Sequence, residues 1–212
     1  MRSHLVIRRR RCYTIAMYKR FGKRALDFAL ALTALIALAI PGALIALWIK
    51  LDSKGPVFFR QKRVGRGKAH FMILKFRTMR ADAPKDVPTH LLGDPYAFIT
   101  RSGRFLRKTS LDELPQLINI LRGEMSFVGP RPALWNQFDL IARRDEEGAG
   151  DVRPGLTGWA QVNGRDELPI DVKARFDGEY VRRMSPGMDA RCVLRTLRDA
   201  FCGRGVVEGK RT

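Results

Sequence analysis

Cysteine is scarce in this chain: three in 212 residues, Cys12, Cys192 and Cys202. An odd number without metal-ligand spacing suggests neither a disulfide framework nor a zinc module, and it suits a reducing compartment. Histidine is equally sparse. His4, His70 and His90 are scattered and read as structural or exposed side chains. Acidic residues are outnumbered, 21 against 40 Lys and Arg, for a formal charge of +19 and a pI near 10.8. That balance calls for an anionic partner: nucleic acid, lipid headgroups or a phosphorylated substrate. There is no internal repeat, no low-complexity tract, no zinc-finger spacing and no RNP1-like segment, which weighs against nucleic acid. The length suits one domain with an appendage.

What the chain does have is one apolar run. Phe28 to Ile49 spans 22 residues without a charge, with Thr33 the one polar side chain. As a straight helix it would reach roughly 33 Å, enough for a hydrocarbon core of about 30 Å. It is long for the core of a cleavable leader, and no small-x-small site follows it. Residues 1–24 carry nine Lys or Arg and no acid, and residues 50–80 carry ten with only Asp52. Both flanks are therefore drawn to the cytoplasmic side. One span cannot satisfy both, whereas a helix that enters, breaks at Pro41-Gly42 and returns can. The charges favour this re-entrant form over an ordinary span or a buried core helix. Three regions are expected: a basic extension over 1–16, a re-entrant membrane helix over 17–50 and a catalytic domain over 51–212.

Beyond the apolar run, GPVFFRQKR and AHFMILKFRTM read as two strands of a hairpin joined by VGRGK. Lys75 and Arg77 lie two apart, so both would leave one face and could converge on phosphate oxygens. Residues 80–98, rich in Pro and Asp, read as a loop. In KTSLDELPQL, 108–117, Ser110 and Glu113 fit a capping box, which leaves Asp112 unexplained. Leu114, Leu117, Ile118 and Leu121 repeat at helical spacing, Gly123 is a stop, and Pro115 belongs in a first turn. Both carboxylates are thus expected at the positive end of a helix, with free N–H groups available to phosphate. GPRP, 129–132, displays Arg131 in a rigid turn. RPGLTGWAQVNGR, 153–165, offers Arg153, Gln161 and Arg165 as polar handles. DARCVLRTLRDAF, 189–201, sets Val193, Leu194, Leu197 and Phe201 on one face with arginines opposite, a pattern shared by interfacial helices and by basic helices packed on a core.

An acid pair among converging cations, next to a membrane element, suits phosphoryl chemistry. One carboxylate attacks phosphorus, the other holds a hard cation, and Lys and Arg stabilise the developing charge. A carboxylate in such surroundings is expected to be ionised near neutrality and to need no general base.

KRALDF, the Pro-broken helix, KLDSKGPVFFRQKRVG, KFRTM, LRKTSLDELPQLINILRGEMSFVGPRP and RPGLTGWAQVNGR together resemble the bacterial sugar transferase family, the small monotopic phosphoglycosyl transferases. The resemblance runs from about Tyr18 to Phe201. It implies a mixed α/β, membrane-associated fold in which a re-entrant helix joins a compact cytosolic unit with a short hairpin and interfacial amphipathic helices. It also implies transfer of a sugar 1-phosphate from a UDP-sugar to undecaprenyl phosphate with release of UMP, on the cytoplasmic face of a bacterial inner membrane, among membrane lipid and without nucleic acid. By motif position it makes Asp112 the nucleophile and Glu113 the Mg²⁺ ligand. Lys75 and Arg107 fall at positions near the phosphates, Arg131 in the family's PRP turn, and Gln161 and Arg165 in a candidate nucleotide or sugar loop. Asp27 matches an acidic position read here as an ion-pair partner. Asp166 and Glu167 depart from the family pattern, so sugar specificity is not carried over. A homodimer is compatible with the sequence. Two other classes stand beside this reading: a tethered basic binding protein, whose phosphate contacts Asp112 and Glu113 would oppose, and a membrane phosphatase that passes the same intermediate to water.

Overall fold

The computed structural model describes residues 15–84, 95–164 and 168–201. The first fourteen residues of the basic extension, most of the 80–98 loop and Arg165 lie outside them.

After a π-helical lead-in at Tyr18–Gly22, the apolar segment forms two helices, α1 (Lys23–Ala37) and α2 (Ala39–Asp52), bent by 62°. The break expected at Pro41-Gly42 falls instead at Leu38, whose φ and ψ are −96° and 8°. The reason is local. Pro41 lacks the N–H that would reach Ala37 and its ring clashes with the preceding turn, so the helix ends upstream and restarts with Pro41 in its first turn, where no intrahelical donor is needed. Gly42 donates to the Leu38 carbonyl at 2.8 Å, resuming the ladder. No single described helix is long and apolar enough to cross a membrane, and the bent pair passes that test together.

Most of this pair faces outward. Ile36 is 70 % and Ile40 76 % exposed, and Leu26, Leu30, Leu44 and Leu47 extend the same apolar surface. The inner side is held by small and polar groups. Ala31, fully buried, packs against Leu117 and Ile120. Arg24 donates to the Ile120 and Leu121 carbonyls, and Lys23 pairs with Asp189. Asp27 accepts the Phe127 N–H at 3.1 Å, a backbone partner in place of the expected Lys or Arg.

The hairpin forms as expected. β1 (Phe58–Val64) pairs antiparallel with β2 (His70–Phe76), in register from Phe58 opposite Phe76 to Val64 opposite His70. A helix not read from sequence, α3 (Arg101–Thr109), follows, capped by the Thr100 hydroxyl accepting the Gly103 N–H at 3.0 Å. Asp52, at the end of α2, accepts both the N–H and the hydroxyl of Ser102, and Trp48 meets Phe105 at 5.5 Å. The membrane-type segment is thereby fastened to the helix that precedes the acid pair.

α4 (Gln116–Arg122) is almost enclosed, and one polar residue fixes it against the sheet. Asn119, fully buried, accepts the Leu74 N–H at 3.0 Å and donates to the Met72 carbonyl at 2.9 Å and to Glu124 at 2.7 Å. It satisfies the outer edge of β2, an edge that would otherwise bury unpaired backbone. Asn119→Ala is expected to destabilise by roughly 2–4 kcal/mol, since it leaves a donor and an acceptor stranded; a thermal melt in detergent checks this.

SFV, just ahead of the GPRP turn, and GLT, inside the segment read as a Gly-rich loop, form β3 (Ser126–Val128) and β4 (Gly155–Thr157), a parallel pair. Gly129 and Gly155 lie so close that a Cβ on Gly155 would stand 2.1 Å from the Gly129 nitrogen, which explains glycine there. α5 (Phe138–Glu146), α6 (Ile170–Arg183) and α7 (Pro186–Phe201) complete the body. On α7 the buried edge is Met188 and Cys192, while Val193, Leu194 and Leu197 stay exposed. That apolar face is therefore not packed on the core.

Candidate active site

α3 ends at Ser110, which adopts a left-handed φ of 56° and turns the chain into a short 3₁₀ turn, Leu111–Glu113, ahead of Pro115 and α4. The expected capping box does not form. Glu113 turns its carboxylate away from Ser110 and toward two cations. Four of the N–H groups around this helix start are committed within the chain. The Glu113 and Leu114 N–H groups bond the Ser110 and Leu111 carbonyls, and those of Leu117 and Ile118 bond Leu114 and Pro115. The tight turn takes these donors before any ligand can.

Lys75, near the end of β2, places its Nζ 2.6 Å from Glu113 Oε1 and 3.8 Å from Asp112 Oδ2. Arg131 reaches Glu113 Oε1 with Nη2 at 3.3 Å. Arg107 Nε donates to the Thr78 hydroxyl at 2.9 Å, and its charge acts on Asp112. Three cations from three places in the chain, the end of β2, the end of α3 and the PRP turn, are thus gathered around the two adjacent carboxylates of the 3₁₀ turn.

The carboxylates are electrostatically unlike. Burial would raise Glu113, but Lys75 and Arg131 outweigh it and hold the group at about 2. Asp112 is 9 % exposed, and burial raises it above the usual aspartate value, with Lys75 opposing and the Glu113 charge adding to the rise. This reverses the expectation of a carboxylate acidified by a helix terminus. The physical cause is that Glu113 takes the short contacts with both cations and leaves Asp112 the weaker one. A carboxylate raised in this way is the more basic and more nucleophilic of the two once ionised.

Hard divalent cations such as Mg²⁺ sit on one or two carboxylates plus substrate phosphates, without a full protein cage. Asp112 and Glu113 fit that role. Among the described residues, no group of three or more His, Cys, Asp or Glu side chains could hold a metal ion unaided.

Other sequence candidates are placed elsewhere. β2 ends at Phe76, so Arg77 does not share a strand face with Lys75. Its guanidinium, 4 % exposed, donates to the Lys54 carbonyl at 2.9 Å and to the carbonyl and hydroxyl of Ser53, closing the C-terminal end of α2. Arg153 donates to the Gly123 carbonyl at 2.8 Å, where with Arg24 it caps α4. Gln161 donates weakly to Leu156, and its buried Oε1 has no hydrogen-bond partner among the described residues. The GWAQVN loop is tied to α6 and α7: Trp159 donates to Glu179 at 2.8 Å, and Arg195 lies over the Trp159 ring at 4.9 Å. Reading the sequence missed Asn119, Arg63 and Arg144. Only Asn119 had a signal, a lone amide inside an apolar stripe.

The family model for bacterial sugar transferase matches residues 18–203. The chain belongs to the bacterial sugar transferase family. It is 45 % identical over 192 residues to a UDP-glucose:undecaprenyl-phosphate glucose-1-phosphate transferase of Caulobacter vibrioides, covering 82 % of this chain and 68 % of that one. It is 36 % identical over 184 residues to EpsL of Bacillus subtilis, described as an uncharacterised sugar transferase, with 87 % and 89 % covered. It is 40 % identical over 194 residues to an undecaprenyl-phosphate glucose phosphotransferase of Komagataeibacter xylinus, with 86 % of this chain covered but 36 % of that relative's length.

Proposed function

We propose that this protein transfers a sugar 1-phosphate from a UDP-sugar to undecaprenyl phosphate, at the cytoplasmic face of a bacterial inner membrane, as the first membrane step of glycoconjugate assembly. The observation that carries this is the pair itself: a buried Asp112 beside a Glu113 held ionised between Lys75 and Arg131. The names of the relatives supply the substrate class.

In this reading the ionised Asp112 carboxylate attacks the phosphorus that carries the sugar. The bond to the other phosphate breaks, UMP leaves with the electron pair, and a phosphosugar ester remains on Asp112. An oxygen of undecaprenyl phosphate then attacks the same phosphorus. The aspartyl–phosphorus bond breaks and the carboxylate returns. Lys75 and Arg131 offset charge on the phosphoryl oxygens, and Arg107 adds to that field. A Mg²⁺ held by Glu113, with Asp112 beside it, would neutralise the diphosphate when bound. Glu113 holds Lys75 in place between the two carboxylates.

Membrane seating follows the apolar surfaces. The outward faces of α1 and α2 and the Val193–Leu194–Leu197 face of α7 are too extensive for water. A bent pair with cationic flanks suits entry and return on one side. Arg77 supports this form by closing the returning arm.

The test is transfer of labelled sugar from UDP-glucose, UDP-galactose and related donors into nanodiscs that contain undecaprenyl phosphate. Label in the lipid phase with stoichiometric UMP is expected from at least one donor. Release of free sugar phosphate without lipid label would favour the phosphatase, and no turnover by folded protein would favour a binding role.

A further inference from the structure

Four consecutive carbonyls of the turn that carries Arg131 each accept a hydrogen bond from another part of the chain. Pro130 accepts the Gly155 N–H at 2.8 Å, and Ala133 accepts the Val64 N–H at 3.0 Å. Between them, Arg131 accepts from Arg144 Nη1 at 2.8 Å and Pro132 from Arg63 Nη1 at 3.0 Å. Two guanidinium groups thus finish what two backbone groups begin.

Arg144 is itself fixed. Its Nε and Nη2 lie 2.8 and 2.7 Å from Asp177 Oδ2, and Asp177 is fully buried on α6. Burying such a pair is a poor way to gain stability, because desolvation offsets most of the attraction and apolar residues of similar size do as well. The pair does something an apolar contact cannot: it aims a donor at one carbonyl, that of the residue whose own side chain reaches Glu113 at 3.3 Å.

We propose that Arg144, oriented by Asp177, is a positioning residue that sets where Arg131 meets Glu113 and the substrate phosphate. Its chemical consequence rests on the transferase reading above; the geometry of the turn does not. Arg63 acts on the next carbonyl and limits the turn to one path.

A double-mutant cycle and amide exchange test this together on the full chain in nanodiscs. Arg144→Met with Asp177→Leu removes the buried pair in matched apolar form, so the fold is retained. Arg131→Ala is expected to lower kcat/KM roughly 100-fold in the native background but less than about threefold in the double variant, since both act through one guanidinium. Amide exchange over 131–134 is expected to quicken at least about tenfold in the double variant while α4 keeps its protection. If the double variant does not fold, Arg144→Lys carries both measurements, because lysine keeps the charge but lacks the planar fork that presents Nε and Nη2 to Asp177 and Nη1 to the Arg131 carbonyl. Additive losses from Arg131→Ala, or unchanged exchange over 131–134, would overturn the proposal. A native protein inactive with every donor would instead overturn the transferase reading, and the exchange result would still decide this one.

Discussion

Asp112→Asn is expected to abolish transfer, lowering kcat by at least about 10⁴-fold, while the protein folds and melts as before. Asparagine keeps the shape of the side chain but replaces an ionisable oxygen with an amide nitrogen, and an amide does not attack phosphorus. The fold tolerates the change because Lys75 pairs mainly with Glu113. Lys75 stands 2.6 Å from Glu113 and only 3.8 Å from Asp112. Removing the charge also relieves burial, which already pushes Asp112 toward its neutral form. UMP release from a UDP-sugar, with a melting curve on the same sample, reads both halves. Glu113→Gln should behave differently. It strips Lys75 and Arg131 of their shared partner and weakens cation binding, so part of its loss should return at raised Mg²⁺.

The second large effect is structural. Gly103 lies on α3 where a Cβ would stand 1.9 Å from the Thr78 carbonyl oxygen and 2.6 Å from its carbon. These are backbone atoms and cannot swing aside. Thr78 is also committed: its carbonyl accepts the Thr100 N–H and its hydroxyl accepts Arg107. Gly103→Ala is expected to cost more than about 3 kcal/mol and at least about 6 °C in Tm. It should also lower activity beyond the stability loss, because α3 must back away with Arg107. Gly42→Ala is the control. It sits in a helix with nothing within 4 Å of the added Cβ, and alanine favours helix over glycine. Equal melting temperatures for Gly103→Ala and Gly42→Ala would contradict the close approach.

These expectations divide according to what a sequence carries. The hairpin was legible because β-leaning runs flank Gly65 and Gly67. The apolar segment was legible because composition and charge act over many residues. Its bend was misplaced by three residues, since proline disrupts the turn before it and not the turn it occupies. The acid pair was legible as a motif, but its setting was not. Ser110–Glu113 satisfies a capping pattern, yet the ion pairs with Lys75 and Arg131 win over the cap and leave Ser110 left-handed. Arg77 shows the same limit from the other side. Its spacing from Lys75 matches a strand face, but the strand stops one residue early and the carbonyls ending α2 take the guanidinium. Arg144 and Asp177 could not be read at all, because they are 33 residues apart and only the packing of α5 on α6 joins them.

The most direct test of a covalent transfer is the intact mass of the protein incubated with Mg²⁺ and each UDP-sugar in the absence of lipid acceptor, with Asp112→Asn in parallel. The expected result is an added sugar phosphate on the native protein alone, mapped to Asp112 and discharged when undecaprenyl phosphate is supplied. UMP release with the native mass unchanged at every time point, or an adduct that persists in Asp112→Asn, would contradict it.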